Sequence, residues 1–290
     1  MGRSFRRAPQ LNPLCVKEPS EQQMKYAIVN NEKVEATKGA KGVCPSCGFD
    51  LIAKCGELKI NHWSHKGNRN CDLWWENETE WHRSWKGNFP KEWQEVVHFD
   101  KSGEKHIADV KTQNGWILEF QHSFINPEER QSRDSFYHQL VWVVDGTRRK
   151  TDAKQFQKML EESTRLKTDI PIIRTHFPDE CRLLKEWHNN SLVFFDFGEA
   201  ENADQSILWF LFPKTSSSSA YLSPFSRKKF VEIFQNDSFG EIYKNNILPI
   251  HAEIANGERR QQIASSPNRT NALSGFDRYM RSKQKRRRRF

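Results

Sequence analysis

No stretch of this 290-residue chain approaches the ~20 consecutive apolar residues of a membrane span, so a membrane-embedded protein is not expected. The opening MGRSFRRAPQLNP carries arginines with no apolar run behind them, which argues against a secretory leader and makes a cytoplasmic protein the default. No internal repeat is evident, which argues against a repeat architecture. Acids are missing from residues 278–290, where eight Lys and Arg gather, leaving only +1 of the +9 net charge for residues 1–277. The body is therefore nearly neutral. Such a basic run suits non-specific contact with phosphates, and its plainer reading is a solvated, disordered tail.

What is present is core material and clustered cysteine. Twenty Phe and ten Trp supply large apolar side chains, and the length predicts one to three domains. Four of six cysteines (Cys44, Cys47, Cys55 and Cys71) lie close together, interleaved with His62 and His65. In a reduced compartment that clustering favours a metal over disulfides.

Cys44-Pro45-Ser46-Cys47-Gly48 reads as a knuckle, two thiolates on a tight turn that form half of a tetrahedral zinc site. Cys44, Cys47, His65 and Cys71 are the favoured ligands. His62 is the alternative for either downstream position, and Cys55 stands in reserve. Four protein ligands leave no open position, so the zinc is expected to be structural.

Residues 25–34 read as a hairpin turning at Asn30-Asn31. Trp74, Trp81 and Trp85 recur at helical spacing, predicting a helix over 74–86 with Glu78, His82 and Lys86 in one row. Strands are expected at 92–99, 105–112 and 115–122. A helix then starts at Pro127, capped by Asn126, and reaches about residue 138. Residues 140–144 (LVWVV) suit a buried strand. Helix, three meandering strands, helix and strand together predict a mixed sheet in an α/β layer architecture. Further on, 152–166 reads as helix, 191–213 as two strands, 216–219 as a flexible serine link, 226–234 as helix and 255–290 as disordered.

Residues 105–122, KHIADVKTQNGWILEFQH, carry the chemistry. Strands joined at Gln113-Asn114-Gly115 would bring Asp109 close to Glu119, with Gln121 on the Glu119 face. Two carboxylates and a polar group at a strand end suit Mg²⁺ or Mn²⁺ held against a phosphodiester. Glu78 would complete the cage or hold a second ion, and His82 would orient a ligand or contact phosphate. Gln121 would position water through its amide but cannot act as a base. Ordinary strand-end charges are the plain alternative for Asp109 and Glu119. His106 falls on the opposite strand face, and Arg130, Arg133 and Tyr137 line one helical face that could contact DNA or salt-bridge to the sheet acids, the structural reading being favoured.

CPSCG with HWSH, then ETEWHRSWK, HIADVKTQNGWILEFQHS, EERQSRDSFY and LVWVVDG occur in that order over about residues 40–146. Together they resemble the competence protein CoiA-like family. That resemblance implies a zinc-ribbon-like element followed by a PD-(D/E)XK nuclease core with a restriction-endonuclease-like mixed sheet flanked by helices. It gives Asp109 and Glu119 the metal positions, with Glu78 and His82 as the helix acid and histidine. Gln121 stands where that superfamily usually has lysine. The implied organisation is an N-terminal region at 1–72 with the module at about 43–71, a nuclease core at 73–150, an α+β region at 151–254 and a basic tail at 255–290. The resemblance implies a Mg²⁺- or Mn²⁺-dependent DNA endonuclease in DNA uptake, recombination or defence. The tail arginines Arg286, Arg287, Arg288 and Arg289 would help hold DNA. A catalytically inactive DNA-binding protein of the same fold is the second expectation, and a protein-interaction scaffold that uses the zinc module and the tail as docking surfaces is the third.

Overall fold

The computed structural model describes residues 22–265, apart from 58, 68–70, 75, 77, 202 and 217. Two sheets organise them. The first comprises β1 (Tyr26–Val29), β2 (Glu32–Glu35), β3 (Lys41–Val43), β4 (Asp50–Lys54) and β5 (His62–His65), in the order β2-β1-β3-β4-β5 with antiparallel neighbours. Asn30 and Asn31 form the expected two-residue turn at φ 50° and 65°. Asn tolerates this left-handed geometry, and its twist matches the flanking strands.

The second sheet has nine strands: β6 (Gln94–Phe99), β7 (Lys105–Lys111), β8 (Ile117–Gln121), β9 (Leu140–Asp145), β10 (Thr164–Arg165), β11 (Ile173–His176), β12 (Leu192–Asp196), β13 (Ile207–Leu211) and β14 (Ser219–Ser226). Their order is β10-β11-β14-β13-β12-β9-β8-β7-β6. β8, β9 and β12 run parallel, while the other pairings are antiparallel, so the sheet is mixed. The expected division at residue 150 cuts across this one sheet, because β12 pairs with β9 from Leu192↔Val141 to Asp196↔Asp145. β9 is buried along its whole length and so takes a partner on each edge.

Seven α-helices accompany the sheets among the described residues. α1 (Glu80–Gly87) and α5 (Arg227–Gln235) cover one face of the large sheet, while α2 (Pro127–Phe136), α3 (Asp152–Glu161) and α4 (Arg182–Trp187) cover the other. α6 (Phe239–Ile242) passes through a π-turn into α7 (Leu248–Ser265), which joins the first group. Strand alternation divides the core accordingly. Leu118, Phe120, Val141, Val143 and Phe194 pack toward Trp85 and Phe230, whereas Ile117, Trp142, Val144 and Phe195 pack toward Phe136, Phe156 and Trp187. No helix among the described residues is long and apolar enough to cross a membrane.

Several local expectations are corrected. α1 begins at Glu80 rather than at residue 74, because Thr79 caps it by accepting from the His82 N–H. Trp74 leaves the tryptophan stripe, with its ring stacked 3.2 Å from that of His106. The helix expected over 152–166 ends at Glu161, and Thr164–Arg165 joins the sheet edge. The serine run is no simple link, since Ser219 starts β14. Residues 255–265 continue α7 rather than being disordered. Buried Glu258 accepts from Tyr221 and, at 3.1 Å, from Arg174, which fastens this polar segment to the sheet.

Asn126 caps α2 as expected, accepting from the Glu128 N–H at 2.9 Å with Pro127 at the first position. Asn126→Ala is therefore expected to cost ~1 kcal/mol, read from the urea midpoint. An unchanged midpoint would show that the cap contributes nothing.

Candidate functional site

The knuckle is built by backbone hydrogen bonds. The Cys44 N–H donates to Phe49 O at 2.8 Å and the Gly48 N–H to Cys44 O at 2.9 Å. Gly48 turns the chain at φ 73°, a conformation open to glycine at no steric cost. β5 and the segment after it deliver the other half. Cys44, Cys47, His65 and Cys71 offer donor atoms within 4.8 Å of one another. Cys44 and Cys71 Sγ are 3.6 Å apart, and Cys47 Sγ lies 3.2 Å from His65 Nε2. A tetrahedral zinc with ~2.3 Å bonds separates its sulfurs by about 3.8 Å, so this donor set can hold a structural metal such as zinc. Hydrogen bonding from Cys71, joined by the backbone N–H groups of Cys47 and Ser46, outweighs burial and brings the Cys44 thiol down to about 5. His62 and Cys55 lie outside this cluster, and the His62 Nδ1 sits 2.8 Å from Ile60 O. All five described cysteines are free.

The carboxylate site forms where β7 and β8 part. Backbone pairing ends at Val110↔Leu118. Beyond it, carboxylates replace the ladder. The Phe120 N–H donates to Asp109 Oδ2 at 2.9 Å and the Asp109 N–H to Glu119 Oε1 at 3.4 Å. The two acids are thus neighbours, though each already has a basic companion. Arg133 donates to Glu119 Oε2 at 3.0 Å, and Lys86 Nζ lies 3.8 Å from Asp109 Oδ1. Burial first, then the nearby Asp109 charge, pushes the Glu119 carboxyl up to about 8 against the pull of Arg133.

The other expected residues are close by but differently engaged. Glu78 precedes α1 instead of lying on it and pairs with Lys86 at 2.7 Å. His82 places Nδ1 2.8 Å from Thr79 Oγ1 and Nε2 3.5 Å from Glu76 Oε2. Burial disfavours the charged imidazole, yet the Glu76 carboxylate outweighs it and raises the His82 pKa. Gln121 donates from its amide to Glu76 Oε2 at 2.7 Å. His106 places Nδ1 2.8 Å from Asp72 Oδ1. Arg130 lies over the Trp187 ring and Arg133 pairs with Glu119, both structural contacts. Arg286 to Arg289 lie outside the described residues.

Sequence reasoning missed three acids, Asp72, Glu76 and Glu95. Glu76 sits in an irregular stretch, where no periodicity signals it. Glu95 was detectable, since Gln94↔Val110 and Val96↔Ala108 place it opposite Asp109 in the meander. Its φ of 46° interrupts the ladder there, and its carboxylate accepts from the Lys25 and Tyr26 N–H groups and from Lys86 Nζ. Asp72, Glu76, Glu78, Glu95, Asp109 and Glu119 line one small cavity of about 60 Å³ with His82, Lys86 and Arg133. Within it, Glu78 Oε1 and His82 Nε2 are buried without a hydrogen bond.

Residues 27–73 match the family model described as competence protein CoiA, N-terminal domain. That stretch holds the five-stranded sheet from Ala27 onward and all four clustered ligands. The match supports a relation of this N-terminal stretch to the competence protein CoiA family. No curated protein and no solved structure matches the chain.

Proposed function

We propose that this chain is a metal-dependent endonuclease that hydrolyses DNA phosphodiesters in the handling of incoming or foreign DNA. The observation that carries this reading is the junction at Asp109 and Glu119, where two strands separate and each carboxylate accepts a backbone N–H from the other's strand. The donor chemistry fits Mg²⁺ or Mn²⁺. Six carboxylates share one cavity with Lys86 and Arg133 as the Lys and Arg side chains lining it. Glu78 Oε1 is buried there without a hydrogen bond, its cationic neighbour being Arg83 Nε at 3.5 Å. A hard cation with retained waters takes one or two carboxylates plus substrate phosphate, so three converging protein oxygens are not required. Among the described residues, the Cys/His cluster alone gathers three or more such donors.

Asp109 and Glu119 would hold the ion, which when bound supplies Lewis acidity at the phosphoryl group. The chain's own contributions are positional. Glu76 fixes the amide of Gln121 and faces His82, so all three keep one orientation. Gln121 can align water but cannot remove its proton. Lys86 holds Glu78 and Glu95 in place beside Asp109. The mixed sheet with helices on both faces is compatible with a restriction-endonuclease-like core, which belongs to this proposal.

A second reading has its own support. Arg133 and Lys86 already attend Glu119 and Asp109, an arrangement that also suits an inactive, DNA-binding relative of that fold. Incubation with single-stranded, duplex and branched DNA in Mg²⁺, Mn²⁺ or EDTA separates the two. Cleavage should require metal and fall by roughly two or more orders of magnitude in Asp109→Ala and Glu119→Ala. Binding without cleavage in every metal would select the inactive reading.

A further inference from the structure

β8, β9 and β12 run parallel and end together, with Gln121 beside Val144 and Asp145 beside Asp196. In open α/β sheets, ligands settle at the carboxyl ends of such strands. The residue after Gln121 is His122, which the proposed function leaves unused. Its Nδ1 lies 2.7 Å from Asp145 Oδ2, and Asp145 is itself pinned by the Thr147 N–H and hydroxyl, each 2.7 Å from Oδ1. Asp145 is buried, whereas the His122 side chain is 37% exposed. Nε2 of His122 carries no hydrogen bond among the described residues. Its ring centroid lies 6.0 Å from that of His82, which lines the carboxylate cavity.

We infer that His122 is a catalytic residue of the proposed hydrolysis, the proton donor to the leaving oxygen, with Asp145 as its positioning residue. This rests on the nuclease reading. A buried carboxylate on Nδ1, itself fixed by Thr147, holds the ring in one orientation and turns Nε2 outward, the geometry a general acid requires. The step balances. Water oxygen bonds to phosphorus and its proton leaves to solvent. The phosphorus–oxygen bond to the departing nucleotide breaks, and its electron pair stays on the leaving oxygen. That oxygen takes the Nε2 proton of His122, which is restored from solvent.

Single-turnover cleavage by His122→Gln and Asp145→Asn tests this on two DNA substrates, one natural and one with sulfur replacing the bridging leaving oxygen. A thiolate leaves without protonation. His122→Gln is expected to lose about 10²–10⁴-fold on the natural substrate. On the sulfur substrate it should run within a few fold of the native chain, and Asp145→Asn should show the same pattern more weakly. Thermal midpoints near the native value keep the comparison free of unfolding. Equal losses on both substrates, or weaker DNA binding with unchanged chemistry, would overturn the proton-donor role and leave the nuclease reading intact. A native chain that cleaves neither substrate in Mg²⁺ or Mn²⁺ would overturn both.

Discussion

Removing metal from the Cys44, Cys47, His65 and Cys71 cluster is expected to unfold the N-terminal sheet. Its buried apolar core consists of Met24, Ala27, Ala36, Cys44, Leu51 and Trp63, too little for a five-stranded sheet to stand alone. A structural zinc contributes an apparent ~10–16 kcal/mol in small modules of this kind. Cys47→Ser should therefore abolish stoichiometric zinc and strip hydrogen-exchange protection from the strands around Trp63. The damage should extend into the large sheet. Asp72, next to Cys71, accepts from the Ile107 N–H at 2.7 Å and holds His106, and both residues belong to β7, the strand of Asp109. Native exchange rates in a zinc-free protein would sink the idea of a metal-dependent module.

The second large effect is expected at Lys86. Its ammonium is buried, 2.7 Å from Glu78, 2.9 Å from Glu95 and 3.8 Å from Asp109. Burial opposes the charge, but Glu95, Glu78 and Asp109 outweigh it and raise the pKa, so the cation persists through the neutral range. Lys86→Met keeps most of the volume and removes the nearest counter-charge of buried Glu95, while Glu78 keeps Arg83 Nε at 3.5 Å, at a cost of ~3–5 kcal/mol. The pH dependence of that deficit follows from sign. In the native chain Lys86 and the Lys25 and Tyr26 N–H groups outweigh burial and hold Glu95 below its ordinary range. In the variant, burial would instead hold it above that range. The deficit should then fade only as pH drops through the lowered native value of Glu95, and grow as pH rises toward neutrality. Adding Glu95→Gln should recover part of the loss. A pH-independent deficit would point to packing rather than charge.

Much of the local architecture was legible because short-range physics fixes it. Asn30-Asn31 specifies a hairpin by tolerating left-handed backbone, and Asn126-Pro127 starts α2 by satisfying one free N–H and lacking another. Alternation along β8 by itself puts Glu119 and Gln121 on one face. The start of α1 was misjudged because Trp74 shares the helical spacing of Trp81 and Trp85, while its partner is His106, 32 positions away. The polar helix through Glu258 was illegible for the same reason, since Tyr221 and Arg174 hold it from another part of the chain.

The sequence by itself determined which residues could carry chemistry: a CxxC knuckle with nearby His and Cys, and two acids on consecutive strands of a meander. Side-chain type and strand period are local properties, so no tertiary knowledge was needed. Only the tertiary structure decided how those acids are occupied. It set Arg133 on Glu119, Lys86 among Glu78, Glu95 and Asp109, and Glu76 against Gln121. A buried charge must find a counter-charge wherever the fold brings one within reach, and that proximity is a property of packing rather than of spacing along the chain.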